Sequence, residues 1–467
     1  MRRPHPPEAS PTLRRVAGLV MAPVERFLHV EAASGIVLLA ATALALAWAN
    51  SPWAASYEHL WHTPIGLRVG AVDFERPLHF WINDGLMTVF FFVVGLEIRR
   101  ELHHGELSER RRAALPVVAA LGGMIVPACI FLAIASRSEA RDGWGAAVAT
   151  DIAFAVGVLA LLGKRVRPAL RILLLALAVI DDIGAIIVIA LFYSSGVSLT
   201  GFAVALAGVG WILAQRKLGV RHALLYVPPA LVVWAGTYVS GVHPTIAGVV
   251  IGLLTPAAAW LGTDGFLDEA RSHVATFDDV ARHPKHTEHD LVAPLAAIAH
   301  ARREAISPVE RLQAALHPWV AFGVMPLFAF ANAGVTLHMP AEGGAGLVAS
   351  LGIALGLVLG KPIGIVLACV VSAKIGLSVL PRGVGVRGLL LVGIVGGIGF
   401  TMSLFVAELA FGRGPLLDAA KIGILAASTT AAVLGLGYGR IAFARSSPEP
   451  DESVAASPVS AESSTEA

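Results

Sequence analysis

The chain has 467 residues, 56% of them hydrophobic and 15% charged, with a formal net charge of +2 and a mean hydropathy of +0.73. A soluble globular domain carries about 25% charged residues, and a nucleic-acid binder needs a basic face that this balance does not supply. Long stretches hold no Asp, Glu, Lys or Arg, which is the layout of a multi-span membrane protein whose charges are expelled to its loops.

Residues 1–25, rich in Pro and Arg, are expected to form a disordered cytoplasmic tail. Arg2, Arg3, Arg14 and Arg15 imitate a signal peptide with Ala45-Leu46-Ala47 as its cleavage site. The first apolar run is nevertheless read as an uncleaved span, because the remaining spans need it to keep parity. The membrane domain is predicted over 26–441. Apolar runs near the roughly 20 residues that cross a bilayer core fall at 32–50, 79–98, 113–136, 144–162, 169–193, 199–214, 222–240, 242–254, 317–337, 345–372, 388–411 and 417–441. The runs 199–214 and 242–254 are short for a bilayer and should tilt, thin it locally or pack behind longer helices.

Cys129 and Cys369, the two cysteines, lie in apolar runs and are read as buried small hydrophobes, leaving no disulfide framework and no Cys-rich metal site. The stretch 255–316 is the one long hydrophilic insert, read as a solvated cytoplasmic loop with an interfacial helix at about 294–316. Its histidines (His273, His283, His286, His289, His300) lack the helical pair spacing of a metal site. Gly383-Val384-Gly385-Val386-Arg387-Gly388 matches a dinucleotide fingerprint as a string, but no strand precedes it and no βαβ unit holds it. Residues 446–467, mostly Ser, Glu, Ala and Pro, are expected to be a second disordered cytoplasmic tail. No ten-residue strand alternation occurs, which argues against an outer-membrane barrel.

Orientation follows from Lys and Arg in alternate loops. Both termini and every second loop together hold 28 of the 35, the opposite loops hold 5, and Lys361 and Lys421 fall within spans. This asymmetry predicts cytoplasmic termini and supports an even number of spans.

Chemistry is then sought at ionisable groups inside the membrane, where each is costly without a partner or water. Asp151, Asp181, Asp182 and Lys361 all fall near the middle of their spans. Adjacent carboxylates in a low dielectric cannot readily both ionise, so the Asp181–Asp182 pair is expected to exchange protons near physiological pH. Bare carboxylate oxygens also suit a hard cation such as Na⁺ or Li⁺. A site holding either protons or a cation is the essential element of an exchanger. The alternative for Asp181 and Lys361 is an ion pair that only ties two helices, which leaves Asp182 without a base.

The backbone around these groups is interrupted. Gly396-Gly397-Ile398-Gly399-Phe400-Thr401 makes a poor helix interior, and Thr150-Asp151, followed by Gly157, interrupts 144–162. These are the middle members of two three-span groups, 113–193 and 345–441, and weakened spans at matching places point to broken helices around a midplane site. The expected fold is an all-α polytopic membrane protein of about 12 transmembrane helices, with inverted repeats of three helices and two interrupted helices crossing near the midplane.

Several strings are long enough to be specific: Trp81-Ile82-Asn83-Asp84-Gly85-Leu86-Met87, Val94-Gly95-Leu96-Glu97-Ile98-Arg99-Arg100-Glu101-Leu102, Ala149-Thr150-Asp151-Ile152-Ala153-Phe154-Ala155, Ile180-Asp181-Asp182-Ile183-Gly184-Ala185, Gly241-Val242-His243, His317-Pro318-Trp319-Val320, Pro326-Leu327-Phe328-Ala329-Phe330-Ala331-Asn332-Ala333-Gly334, Gly360-Lys361-Pro362 and Gly397-Ile398-Gly399-Phe400-Thr401-Met402-Ser403. On these strings the chain resembles the NhaA family of bacterial sodium/proton antiporters over roughly residues 25–441. Inverted-topology repeats are a known architecture of that family. The resemblance implies a secondary active antiporter, not an enzyme, extruding Na⁺ or Li⁺ in exchange for external H⁺. It further implies electrogenic, pH-regulated alternating access without a cofactor, in the bacterial inner membrane. A homodimer is expected on the resemblance alone. Asp181 and Asp182 would hold the Na⁺ or the protons, with Thr150 and Asp151 on the interrupted neighbouring span. Asp151 would offset the positive helix ends at the crossing and Lys361 the negative ones, with Lys361 also pairing with Asp181 until a cation releases it. Glu97, Arg100 and Glu101 match positions linked to pH response and the cytoplasmic intake funnel. His243 matches a histidine that influences the pH profile, and Asp84 matches an acid of the outer half to which no role is given.

The pattern departs from the family at two places. Gln313 stands where an acid precedes the Leu-His-Pro element by three residues, and an amide cannot titrate, so a pH sensor built there is weakened or relocated. Pro244 follows His243 where Ala is expected. Two other functions stay open at this stage. A sodium-coupled symporter would need an organic-substrate cavity. An intramembrane Mg²⁺-dependent prenyl transferase would need a second Asp-rich element and basic phosphate contacts, and neither is visible.

Overall fold

In hydrocarbon every backbone N–H and C=O must find a partner within the chain, and the apolar runs meet that demand as helices. The computed structural model describes residues 31–69, 72–194, 196, 198–283, 286–336, 344–380 and 384–444. The expected tails 1–25 and 446–467 lie outside the described residues. Helices α1 (Glu31–Ala49) and α2 (Ala54–His62) meet at a bend of 114°. They are followed by a hairpin of β1 (Pro64–Val69) and β2 (Val72–Pro77), antiparallel with Pro64 opposite Pro77. Next come α3 (Leu78–His103), α4 (Arg110–Ala135), the tightly wound α5 (Glu139–Ala147), α6 (Ile152–Leu161), α7 (Pro168–Phe192), α8 (Leu199–Lys217), α9 (Val227–Ser240) and α10 (Thr245–Leu254). The chain ends with α11 (Gly262–Arg282), α12 (Val292–Glu304), α13 (Pro308–Asn332), α14 (Ala345–Lys374), α15 (Val386–Gly396), α16 (Phe400–Phe411) and α17 (Pro415–Ala442). Among the described residues, eight helices are long and apolar enough to cross a membrane alone, eleven if each of three bent pairs is one span, and α10 is a shorter apolar helix.

Two of the bent pairs are the interrupted spans expected from sequence. The α5–α6 pair bends by 49° and the α15–α16 pair by 50°. Each is the middle member of a three-span group, α4 to α7 and α14 to α17. Loosened turns occur at Val320–Val324 in α13 and Gly356–Gly360 in α14, each just before a proline, Pro326 and Pro362. A proline lacks the N–H that its helix needs and its ring clashes with the carbonyl four residues back, so the turn before it widens to five residues. A third such turn, Trp81–Leu86 at the start of α3, has no proline to account for it.

Three expectations need correcting. The hairpin 64–77 was not anticipated, because its strands are short and their alternation is weak. The insert 255–316 is not mainly a loop: it holds α11 and α12. The single helix expected at 294–316 is divided at 305–307, where Ser307 accepts the Glu310 N–H at 3.2 Å and caps a new helix that continues into the membrane as α13. Cys369 is buried as expected, but Cys129 is exposed, because this side of α4, with Leu121 and Ile125, faces away from the bundle. The Gly-rich string ending at Gly388 runs into the start of α15, and the sheet among the described residues is the hairpin alone; Gly383 lies outside the described residues.

With no hydrophobic drive between helices in lipid, close approach at small residues holds them together. Gly122 of α4 and Gly364 of α14 meet backbone to backbone, and a Cβ on either would collide with the other's carbonyl. Gly95 of α3 and Gly252 of α10 make a second such seam. Overpacking costs about 1–3 kcal/mol even where side chains can move, and a carbonyl cannot move aside. Gly364→Val should therefore lower the thermal midpoint of the detergent-purified protein by several degrees. Gly157→Ala, where a Cβ meets nothing within 4 Å, should leave it within error.

Candidate functional site

A helix that stops inside the membrane exposes unpaired N–H groups and a partial positive charge at its start, unpaired C=O groups and a partial negative charge at its end. The starts of α6 and α16 are brought together at Asp151. Its Oδ1 accepts the Phe154 N–H at 3.0 Å, and its Oδ2 accepts the Thr401 N–H at 3.1 Å and the Thr401 hydroxyl. The Asp151 N–H donates to the Ile398 carbonyl at 2.7 Å. One carboxylate thus caps two broken helices. Ser428 of α17 adds a second cap, accepting the Phe400 N–H at 3.0 Å. On the other side of the crossing, the Thr150 hydroxyl donates to the Gly396 carbonyl at the end of α15, at 2.9 Å.

Lys361 follows the widened turn of α14 and is fully buried. Its ammonium donates to Thr150 Oγ1 and to Asp181 Oδ2, both at 2.7 Å. The ammonium therefore meets the end of α15 only through Thr150, and its direct ionic partner is Asp181. Asp181 Oδ1 is buried without a hydrogen-bond partner among the described residues. Asp182 is 2% exposed and forms no ion pair among the described residues. The charges that act on it are Asp181, Glu97, Asp151 and Lys361, three carboxylates against one ammonium. Carboxylates thus outnumber cations around Asp182. A small cavity touches Asp181, walled otherwise by Met124, Gly145, Val148, Ala185, Val188 and Val406.

The remaining expected residues divide between the two ends of α3. Near its C-terminus, Arg100 Nη2 lies 3.9 Å from Glu97 and 3.4 Å from Glu101. Near its start, His243 Nε2 lies 3.4 Å from Asp84 Oδ1, and His243 Nδ1 lies 2.8 Å from Thr245 Oγ1. His243 is thus not part of the Glu97 group. Pro244 sits just before α10 with helical φ of −59°, where a missing N–H does no harm. Gln313 is buried on α13, its Oε1 unpartnered among the described residues, and α13 packs along α3.

Comparison with known proteins gives the same direction. The model of a family described as Na+/H+ antiporter 1 matches residues 25–438. The Na(+)/H(+) antiporter NhaA 2 of Sorangium cellulosum is 57% identical over 464 residues, 99% of this chain and 98% of that protein. Its namesake from Myxococcus xanthus is 57% identical over 438 residues, 93% and 92% of the two chains. The Na(+)/H(+) antiporter NhaA of Janthinobacterium sp. is 48% identical over 446 residues, 95% and 98% of the two. The chain belongs to this Na⁺/H⁺ antiporter family. As a member it is a polytopic membrane transporter, and relatives matching almost its whole length are named for sodium/proton exchange.

Sequence reasoning missed Thr401 and Ser428 as partners of the crossing, and it passed over Glu408, an acid inside the span 388–411. The rule that intramembrane charges are costly would have found Glu408. Nothing short of the fold could have matched Ser428 to Phe400. Removing one member of a buried ion pair costs about 3–5 kcal/mol, much of it from the charge left behind. Lys361→Met alone should therefore destabilise the protein more than Lys361→Met combined with Asp181→Asn. Thermal midpoints of the two variants in detergent check the order.

Proposed function

We propose that this chain extrudes Na⁺ or Li⁺ in exchange for external H⁺ by alternating access at the Asp181–Asp182 pair. The observation that carries the reading is the incomplete satisfaction of that pair. Lys361 serves one oxygen of Asp181, the other oxygen of Asp181 has no partner among the described residues, and Asp182 has no ion pair there. Buried ionised carboxylates demand compensation, and a proton or a dehydrated alkali cation supplies it. The two compete because either one removes the negative charge that the other needs.

In the cytoplasm-facing state the pair sheds protons and takes a cation; in the outward-facing state protons displace it. Lys361 competes with the cation for Asp181 and is displaced when the cation binds. Asp151 and Thr150 keep the broken ends in position while the site changes sides. If more than one proton moves per cation, net charge moves inward, and the membrane potential contributes about 2.3 kcal/mol per charge per 100 mV. The Lys and Arg asymmetry supports cytoplasmic termini in a bacterial inner membrane. Glu97, Arg100 and Glu101 stand at the same end of the bundle as the basic loops, which suits an intake funnel whose charge responds to cytoplasmic pH. Gln313 cannot take part in that response.

Asp182→Asn should abolish Na⁺-dependent proton movement, reported by a pH-sensitive dye in proteoliposomes, while the protein still purifies folded. Wild-type proton movement in that variant would overturn the assignment. Competition also has a sign. Protons leave the pair as pH rises, so the Na⁺ concentration for half-maximal exchange should fall by about tenfold per pH unit for each proton that competes. An Na⁺ requirement that stays level from pH 6 to 8.5 would mean that protons and Na⁺ do not share the site.

A further inference from the structure

A second set of polar side chains, Asn83 and Asn332 buried and the others half-buried, gathers at the end of α3 opposite Glu97. His79, Asn83 and Asp84 belong to the start of α3, Asn332 is the last residue of α13, and Glu408 lies on α16. Asn332 Nδ2 donates to Asn83 Oδ1 at 2.8 Å, and Asn83 Nδ2 donates to Asn332 Oδ1 at 3.2 Å. Glu408 joins this amide pair from α16: one carboxylate oxygen accepts from Asn83 Nδ2, and the other lies 3.3 Å from His79 Nε2. The charged groups facing this set come from α3, α17 and the turn before α17. They are Asp84 of α3, paired with His243; Lys421 of α17, itself under the influence of Asp418; and Arg413 of the turn between α16 and α17.

The place of Glu408 on its helix matters. Thr401, at the start of α16, is bound to Asp151 at the crossing, and Glu408 is seven residues on, about 10 Å of helix. Between them Phe405 is buried, with ring centroids 5.5 Å from Phe91, 6.1 Å from Phe328 and 5.4 Å from His243. One helix therefore links the broken-helix crossing, an aromatic layer and an acid beside a histidine. The amide pair alone already ties α3 to α13. What Glu408 and His79 add is a carboxylate and an imidazole in contact, the two side-chain types most used to hand on a proton.

We propose that Glu408, held by His79 and Asn83, is the proton carrier of the outer half of the exchanger. It takes a proton from the external solution and releases it toward Asp181 and Asp182 when the aromatic layer around Phe405 parts. The carboxylate gains the proton and returns to its ionised form when water or a carboxylate of the pair accepts it. The inference rests on the exchange reading and deepens it.

The test uses right-side-out membrane vesicles, following efflux of radioactive Na⁺ with interior pH fixed and exterior pH stepped, then with the two sides exchanged. Glu408→Gln should move the midpoint of the exterior-pH dependence by about one pH unit or more and keep the wild-type interior midpoint. Glu408→Asp should restore the exterior midpoint. A wild-type exterior profile in Glu408→Gln, or equal shifts on both sides, overturns the proposal, because a helix-tying role favours neither face. If Glu408→Gln does not purify folded, His79→Gln decides by the same criterion. Asp182→Asn vesicles run alongside: wild-type efflux there defeats the Asp-pair reading itself, an outcome distinct from any result with Glu408.

Discussion

Two helices that begin inside interrupted spans leave N–H groups with no helical partner, and the arrangement persists because Asp151 answers both at once. Its carboxylate accepts from Phe154 at the start of α6 and from Thr401 at the start of α16. The negative charge lies between two positive helix ends, so burial that would be ruinous for a lone carboxylate is here compensated by dipoles and hydrogen bonds. Thr150 on the same strand of chain serves the carbonyl end of α15 and hands the contact on to Lys361. The two three-helix groups are thereby joined at one small knot of polar atoms.

Next to this satisfied knot stands an unsatisfied one. Asp181 and Asp182 lie in the middle of the uninterrupted helix α7, so their backbone is already paired and only their side chains seek partners. Lys361 supplies one. The contrast is between a carboxylate with its acceptors filled and a doublet with an oxygen left unpartnered among the described residues.

Packing elsewhere follows the same economy of small residues. The glycine seams between α4 and α14 and between α3 and α10 bring backbones into contact. These are rigid pairs. The widened turns before Pro326 and Pro362 are different in kind: they loosen a helix without ending it, and one of them immediately precedes Lys361. The acid-bearing segment of α3 is loosened similarly at Trp81–Leu86, where Asn83 and Asp84 stand.

Much of this was written locally in the chain. Apolar runs with no charge must become helices, Lys and Arg crowd alternate loops, and three aspartates and a lysine at mid-span cannot be passengers in lipid. The Gly396–Gly399 run and Thr150-Asp151 marked the two breaks, because glycine and extended polar residues cannot sustain a helix there. What the chain could not announce was pairing at a distance. Asn83 and Glu408 are 325 residues apart, and Lys361 and Asp181 are 180 apart; no local pattern records which buried donor will meet which acceptor. The hairpin 64–77 and the helices inside 255–316 were likewise hidden, since short strands and amphipathic helices outside the membrane lack the strong apolar signal of a span. Composition and periodicity determined the spans and the charged groups they carry, because the bilayer penalises each residue separately. Which of those groups are satisfied and which are left wanting was decided only when the helices packed, because hydrogen bonds are made between atoms and not between positions in a sequence.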